Sequence, residues 1–204
     1  DGDLSQMNRM RRNLADGSRL GVVGSPVISD KKTRFQSRAN YLRTEHLETP
    51  AMTTLWRSKR TDTSAENSTI ASIFGSFRGA GDLGVVVSML TSTTIRAQAY
   101  DQSGVARSVT LTIANMNRYK DYLLTIDPGD QVSDFGTLDF KCLTDDVSGS
   151  VAFTSARKVG SSPISVGSSN STAYGGHFEM YNFQNYPHVL TEEQASAAHS
   201  QMVT

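Results

Sequence analysis

Acid–base chemistry on a β-strand needs carboxylates at alternate positions, because alternate residues share a face. A retaining glycosidase sets its acid and its nucleophile about 5–5.5 Å apart, which a Glu-x-Asp-x-Glu strand would supply. No strand-like segment carries such a pair. Glu179 is followed on its own face by Tyr181 and Phe183, Asp139 by Lys141 and Leu143, and Asp145 and Asp146 are adjacent and diverge. The histidines His46, His177, His188 and His199 stand beside no nucleophile motif. The many serines leave a Ser-His-Asp triad open, but no Gly-x-Ser-x-Gly elbow is present. The lone Cys142 can build neither an intrachain disulfide nor a zinc site, and no two histidines have ligand spacing. The expectation is a protein that is not an enzyme.

Two kinds of ligand chemistry remain. Asp82, Asp101, Asp127, Asp130, Asp145 and Asp146 fall in predicted loops, and carboxylates with backbone carbonyls suit a hard cation such as Ca²⁺. They form no EF-hand or other fixed pattern, and aspartates as turn residues are the favoured reading, so no cofactor is expected. Sugar recognition combines aromatic faces with amide and carboxylate hydrogen bonds. The segment Asn115-Met116-Asn117-Arg118-Tyr119 is the most ligand-like on this criterion, and Tyr174, Tyr186 and His188 join it as candidates beside loops. The competing reading of that segment is a solvated loop with one packed tyrosine. Trp56 is assigned to the core.

These residues need a scaffold, and composition restricts which. Only 37% of the 204 residues are hydrophobic and the formal net charge is zero. Such a chain suits a loop-rich β protein and shows no basic surplus for nucleic acid. No apolar run approaches the ~18 residues of a membrane span, so no membrane insertion is expected. No signal peptide opens the chain, and its start at Asp1 suggests a fragment or a processed product. Short strands separated by turn signals are read at 35–44, 53–59, 71–77, 84–90, 94–100, 107–113, 121–126, 136–143, 150–155, 164–166 and 177–183. Several alternate cleanly. Leu138, Phe140 and Cys142 oppose Asp139 and Lys141, while Ile95, Ala97 and Ala99 oppose Arg96, Gln98 and Tyr100. Leu55 and Trp56 point to opposite faces. Phe178 and Met180 take one face of the last strand, with Glu179, Tyr181 and Phe183 on the other. The pattern argues for two stacked antiparallel sheets.

Both ends are distinct. Thr191 with Gln194 three residues on forms a capping box, Leu190 can staple onto Ala195, and Ala195, Ala198, His199 and Met202 follow at helical spacing. Leu4, Met7, Met10 and Leu14 recur with arginines between them, so residues 1–16 form an N-terminal extension and 17–204 the sandwich. The extension is either a terminal helix lying on the domain or the tail of a self-associating stalk.

The closing text, Tyr181-Asn182 followed by Leu190-Thr191-Glu192-Glu193-Gln194, resembles the end of laminin-G-like, concanavalin A-like domains. The Gly24-Ser25-Pro26 segment, the strand with Phe35, Tyr41, Leu42 and Thr44, and the segments 122–127, 138–145, 148–153 and 164–167 continue the resemblance over residues 20–202. It implies an all-β antiparallel sandwich, a concanavalin A-like jelly roll with a short C-terminal helix. The wording is similar to domains of bacteriophage tail fibres and tail spikes. That implies a non-catalytic, homotrimeric virion module attaching to bacterial surface polysaccharide or lipopolysaccharide. A purely structural assembly module and a polysaccharide-degrading hydrolase are the alternatives, since this fold hosts many functions.

Overall fold

The computed structural model describes residues 21–23, 27–29, 32–35, 41–61, 70–77, 81–167 and 177–202. The stripe Leu4–Met7–Met10–Leu14, the boundary after residue 16, and Tyr174 lie outside them. The strands are β1 (Gly21–Val23), β2 (Val27–Ser29), β3 (Lys32–Phe35), β4 (Tyr41–Leu47), β5 (Met52–Arg60), β6 (Ala71–Gly75), β7 (Val86–Met89), β8 (Thr94–Asp101), β9 (Ala106–Thr112), β10 (Lys120–Asp127), β11 (Thr137–Cys142), β12 (Val147–Ala152), β13 (Arg157–Lys158), β14 (Pro163–Val166) and β15 (Phe178–Tyr186); one helix, α1 (Glu192–Met202), follows. They form two antiparallel sheets. One runs β1-β4-β14-β6-β7-β8-β13, with β9 also on β8; the other runs β12-β11-β10-β5-β15-β3-β2.

The alternating strands face as their sequences require. Ile95, Ala97 and Ala99 of β8 and Leu138, Phe140 and Cys142 of β11 are buried in one continuous core. Trp56 lies at its centre, stacked on Tyr122 with centroids 5.1 Å apart and on Phe140 at 5.8 Å, and edge-on to Phe74 at 5.1 Å. Leu55, its neighbour, points out of the sandwich and is covered by α1 through Ala198 and Met202. The capping box closes as the sequence implies: Gln194 N–H donates to Thr191 Oγ1 (3.2 Å) and Thr191 N–H donates to Gln194 Oε1 (2.9 Å). Leu190 packs against the Leu55–Ala198–Met202 cluster, while Ala195 stays half-buried.

Two expectations are corrected. The strand expected over 35–44 is two strands in different sheets, since Phe35 ends β3 and Tyr41 begins β4. Phe35 and Leu42 are both core residues but stand an odd number of positions apart, which a single straight strand cannot bury on one face. The second correction concerns Phe183. The β15–β5 register slips between Met180 and Asn182, so Tyr181 is an extra residue. Such a bulge reverses the alternation beyond it. Glu179 and Tyr181 remain outside, but Phe183 turns inward opposite Trp56 and packs edge-on to Phe74 at 5.3 Å.

At one end the sheets are joined by a buried ion pair. Arg157 and Glu48, both with side chains 0% exposed, bond to each other. Glu48 Oε2 accepts from Ser76 Oγ, from Val85 N–H (2.9 Å) and from Gly160 N–H (3.3 Å). Arg157 donates further to the carbonyls of Thr49 and Pro50. Gly84 and Gly160 are required by this knot, because a Cβ on either would press on Ser76 Oγ and Glu48 Oε2. Burial pulls the Arg157 guanidinium down, and Glu48 offsets this. Loss of one partner from such a pair costs about 3–5 kcal/mol, whereas joint replacement by apolar residues is often neutral. Arg157→Met and Glu48→Leu should therefore each lower urea stability by roughly that amount, with the double variant recovering most of the loss. Additive losses in the double variant would show that the two side chains act separately.

Candidate functional site

The outward residues of β5 are Thr53, Leu55, Arg57 and Lys59, because Trp56 faces in. α1 lies over Leu55, with Leu123, Tyr186 and Leu190 packed around that contact. Past the helix, at Arg57 and Lys59, no described helix lies over the outer face, and pairing aligns two rows of side chains there. One row runs from Arg34 on β3 through Glu179 on β15 to Lys59 on β5, and on to Tyr119 just before β10. The second contains Tyr181 in the bulge, Arg57, and Asp121 on β10.

Both rows are tightly bonded. Tyr119 O–H donates to Glu179 Oε2 at 2.9 Å, and Lys59 Nζ lies 3.0 Å from the same carboxylate. That ammonium also sits 4.9 Å from the centre of the Tyr119 ring. Arg57 binds Asp121 with both fork nitrogens, at 2.6 and 2.8 Å, and its guanidinium carbon is 5.9 Å from the Tyr181 ring. The two tyrosines meet edge to face at 6.2 Å. From α1, His199 Nε2 reaches Asp121 Oδ2 at 3.1 Å, so the helix is tied to the same carboxylate.

The electrostatics follow from these contacts. Burial pushes the Asp121 carboxyl up, but the hydrogen bonds from Arg57 and His199 outweigh it and hold it below the usual range. Glu179 is likewise raised by burial and brought below its ordinary value by Lys59, Tyr119 and Lys32. Burial, reinforced by Glu179, pushes the Tyr119 phenol up, so it stays a donor. A general acid needs the opposite shift. Asp121 and Glu179 also stand two strands and two residues apart, roughly 12 Å between their backbones by sheet geometry.

The residues singled out in the sequence separate into two places. Asn115, Asn117 and Arg118 are exposed in a turn, with Asn115 at φ 54° and Arg118 N–H donating to Asn115 O at 2.9 Å. Met116 in that turn is buried in the core and accepts Arg60 N–H at 2.7 Å. Only Tyr119 of the segment enters the network. Tyr186 and His188 lie at the other end of β15, with Tyr186 opposite Thr53. Thr53 is six residues from Lys59, about 20 Å along β5. Tyr186 is packed beside α1 and His188 is exposed, their rings 6.1 Å apart. One sugar ring cannot touch both groups. The loop aspartates serve turns: Asp130 accepts the amides of Val132, Ser133 and Asp134, and Asp101 that of Val105. Among the described residues no group of three or more His, Cys, Asp or Glu could hold a metal ion.

Arg57, Lys59, Glu179, Tyr181, Asp121 and His199 were not marked as site residues by the sequence. Its signal was the alternation in Leu55-Trp56-Arg57-Ser58-Lys59, which puts both cations opposite the buried tryptophan. What was missing was which strands flank β5.

No family model matches the sequence, and no curated protein matches it. Solved structures match its fold. The receptor-binding domain of botulinum neurotoxin type G superposes with a TM-score of 0.69 at 11% identity, covering 91% of this chain and 46% of that one. The receptor-binding domain of the C/D mosaic serotype gives 0.68 at 9% identity, over 91% and 46%. The serotype D ligand-binding domain, solved in complex with N-acetylneuraminic acid, gives 0.67 at 9%, over 91% and 47%. The chain thus spans about half the length of these domains, and the likeness is one of fold.

Asp121 carries a pH prediction. A carboxyl whose folded pKa lies below its unfolded value, about 3.9, contributes stability that is fully present above that value. The contribution is lost as pH falls through the depressed folded value. Asp121→Asn should cost about 1.5–3 kcal/mol at neutral pH, the scale of hydrogen bonds to charged groups. The gap to wild type should shrink in urea titrations carried progressively below pH 4. A gap independent of pH would mean that the ion pairs do not stabilise the face.

Proposed function

We propose that this domain is a non-catalytic glycan-binding module and that the open outer face around Tyr119 and Tyr181 receives the sugar. One observation carries the reading: two half-buried tyrosine rings stand beside fixed donors and acceptors on the part of the sheet that α1 leaves uncovered. Aromatic faces take the apolar side of a pyranose, and charged hydrogen-bonding groups take its hydroxyls. The networks through Glu179 and Asp121 hold these groups before any ligand arrives, which reduces the ordering cost of binding. The fold likeness to receptor-binding domains, one of them solved with a sugar acid, supports the same reading.

The wider setting rests on the sequence resemblance. In it the domain belongs to a bacteriophage tail fibre, sits on the virion, and attaches to bacterial surface polysaccharide or lipopolysaccharide. Binding to fluorescently tagged bacterial cells and to a glycan array tests the central claim. Tyr119→Ala and Tyr181→Ala should each weaken binding about tenfold or more, by the ~1.4 kcal/mol that corresponds to that factor. Binding unaffected by either substitution would move the site elsewhere. No binding to any glycan or cell would favour the assembly module, and release of reducing ends from a polysaccharide would favour the hydrolase.

A homotrimer belongs to the same proposal, since linked weak sites gain avidity without new contacts. The apolar stripe Leu4, Met7, Met10 and Leu14 is the sequence feature suited to a threefold axis. Sedimentation equilibrium at micromolar concentration should return three times the 22.2 kDa chain mass. A monomeric mass, for this chain and for one extended upstream, removes the trimer.

A further inference from the structure

We infer that the glycan bound on this face is acidic, with its carboxylate, sulfate or phosphate group seated at Lys32 and Arg34 on β3. The inference rests on the reading that the face takes a glycan, and it adds the ligand's charge and direction.

The argument is a local imbalance. Elsewhere on this sheet three cations each have a carboxylate of their own: Arg57 has Asp121 at 2.6 Å, Lys120 has Asp145 at 2.6 Å, and Lys141 has Asp146 at 3.0 Å. At the β3–β15–β5 corner three cations share Glu179. Lys59 takes the short contact at 3.0 Å, while Arg34 and Lys32 stand off at 3.9 and 4.0 Å. The acid is already engaged by the Tyr119 hydroxyl at 2.9 Å. One carboxylate cannot neutralise three cations, so among the described residues a positive surplus stays at this corner. It is local, because twenty basic and twenty acidic residues cancel over the chain.

The surplus is also accessible. The Arg34 and Lys32 side chains are 44% and 37% exposed, against 10% for Glu179. An exposed guanidinium presents a planar fork that fits carboxylate, sulfate and phosphate oxygens, and a nearby ammonium adds a mobile point charge. Pairing fixes where this lies relative to the rings. Arg34 is opposite Glu179, Glu179 opposite Lys59, and Tyr119 follows on the next strand. Three strand spacings separate the backbones of Arg34 and Tyr119, about 14 Å, and the Glu179 carboxylate lies between their side chains. An oligosaccharide lying across the strands therefore meets tyrosine rings at one end and cations at the other. An anionic lipid surface would satisfy the cations but would not use the ring faces, so the glycan is favoured.

The test uses the whole chain on an array that pairs oligosaccharides bearing carboxylate, sulfate or phosphate with matched neutral ones, plus phosphatidylglycerol vesicles. The strongest binders should be acidic. Methyl esterification of a uronate ligand should weaken it at least tenfold, and affinity should fall as salt rises. Lys32→Gln with Arg34→Gln should reduce affinity for the uronate ligand to that of its methyl ester, with an unchanged circular dichroism spectrum. Neutral glycans binding as well as acidic ones overturns the acidic assignment and leaves the glycan reading standing. Failure of every glycan overturns both. Binding to vesicles alone replaces the glycan with a lipid surface.

Discussion

The buried contact between Glu48 and Arg157 sets the frame on which the outer face depends. Two ions removed from water cost several kcal/mol each unless their remaining hydrogen-bonding capacity is filled. Here the filling comes from distant segments: Ser76 and Val85 from the β6–β7 region, Gly160 before β14, and the Thr49 and Pro50 carbonyls just ahead of β5. The pair thus fixes where the chain leaves β4 and enters β5. That position decides which residues of β5 face inward. A slip of one residue would exchange Trp56 for Arg57 and Lys59 and bury two cations in the aromatic stack. Core and candidate site share one register.

The bulge at Tyr181 is the complementary device on the neighbouring strand. Strict alternation along β15 would send Phe183 to the same face as Glu179 and Tyr181. One extra residue lets Tyr181 remain outside, near Tyr119 and Arg57, while Phe183 closes the core over Phe74. Beyond the bulge, Gln184 and Tyr186 fall under or beside α1, so the helix covers what the sheet would otherwise expose. The helix's cover ends near Asp121, where His199 marks the border.

Much of this was legible in the sequence because it depends on local periodicity. The alternation of β8 and β11, the opposed faces of Leu55 and Trp56, and the box of Thr191 with Gln194 are properties of neighbouring residues. The fold class followed from their sum. What was not legible depends on pairing between distant segments. Nothing near residue 181 announces a bulge, and only the register against β5 reveals it. The division of 35–44 between two sheets was hidden for the same reason. Of the candidate residues, Tyr119 lies in the network, while Tyr186 and His188 lie far down the strand. Their chemistry was readable but their positions were not, and Glu179 was weighed only as half of a carboxylate pair along its own strand. Its partners come from β3, β5 and the segment before β10.

The arrangement of charge bears on why such a face would recognise rather than react. A carboxylate acting as a general acid must hold its proton near neutral pH, which requires burial without cations. Asp121 and Glu179 are buried, yet each is bonded to cations that pull it the other way. The same ion pairs immobilise Arg57, Lys59 and the two tyrosines, as a binding surface requires and as transient proton transfer does not. They also partition the cations. Arg57 spends its fork on Asp121 and has little left for a ligand, whereas Arg34, held among the described residues only at long range by a carboxylate already committed to Lys59 and Tyr119, has no short ion pair there. Specificity on this face would then arise from what its internal bonds leave unsatisfied.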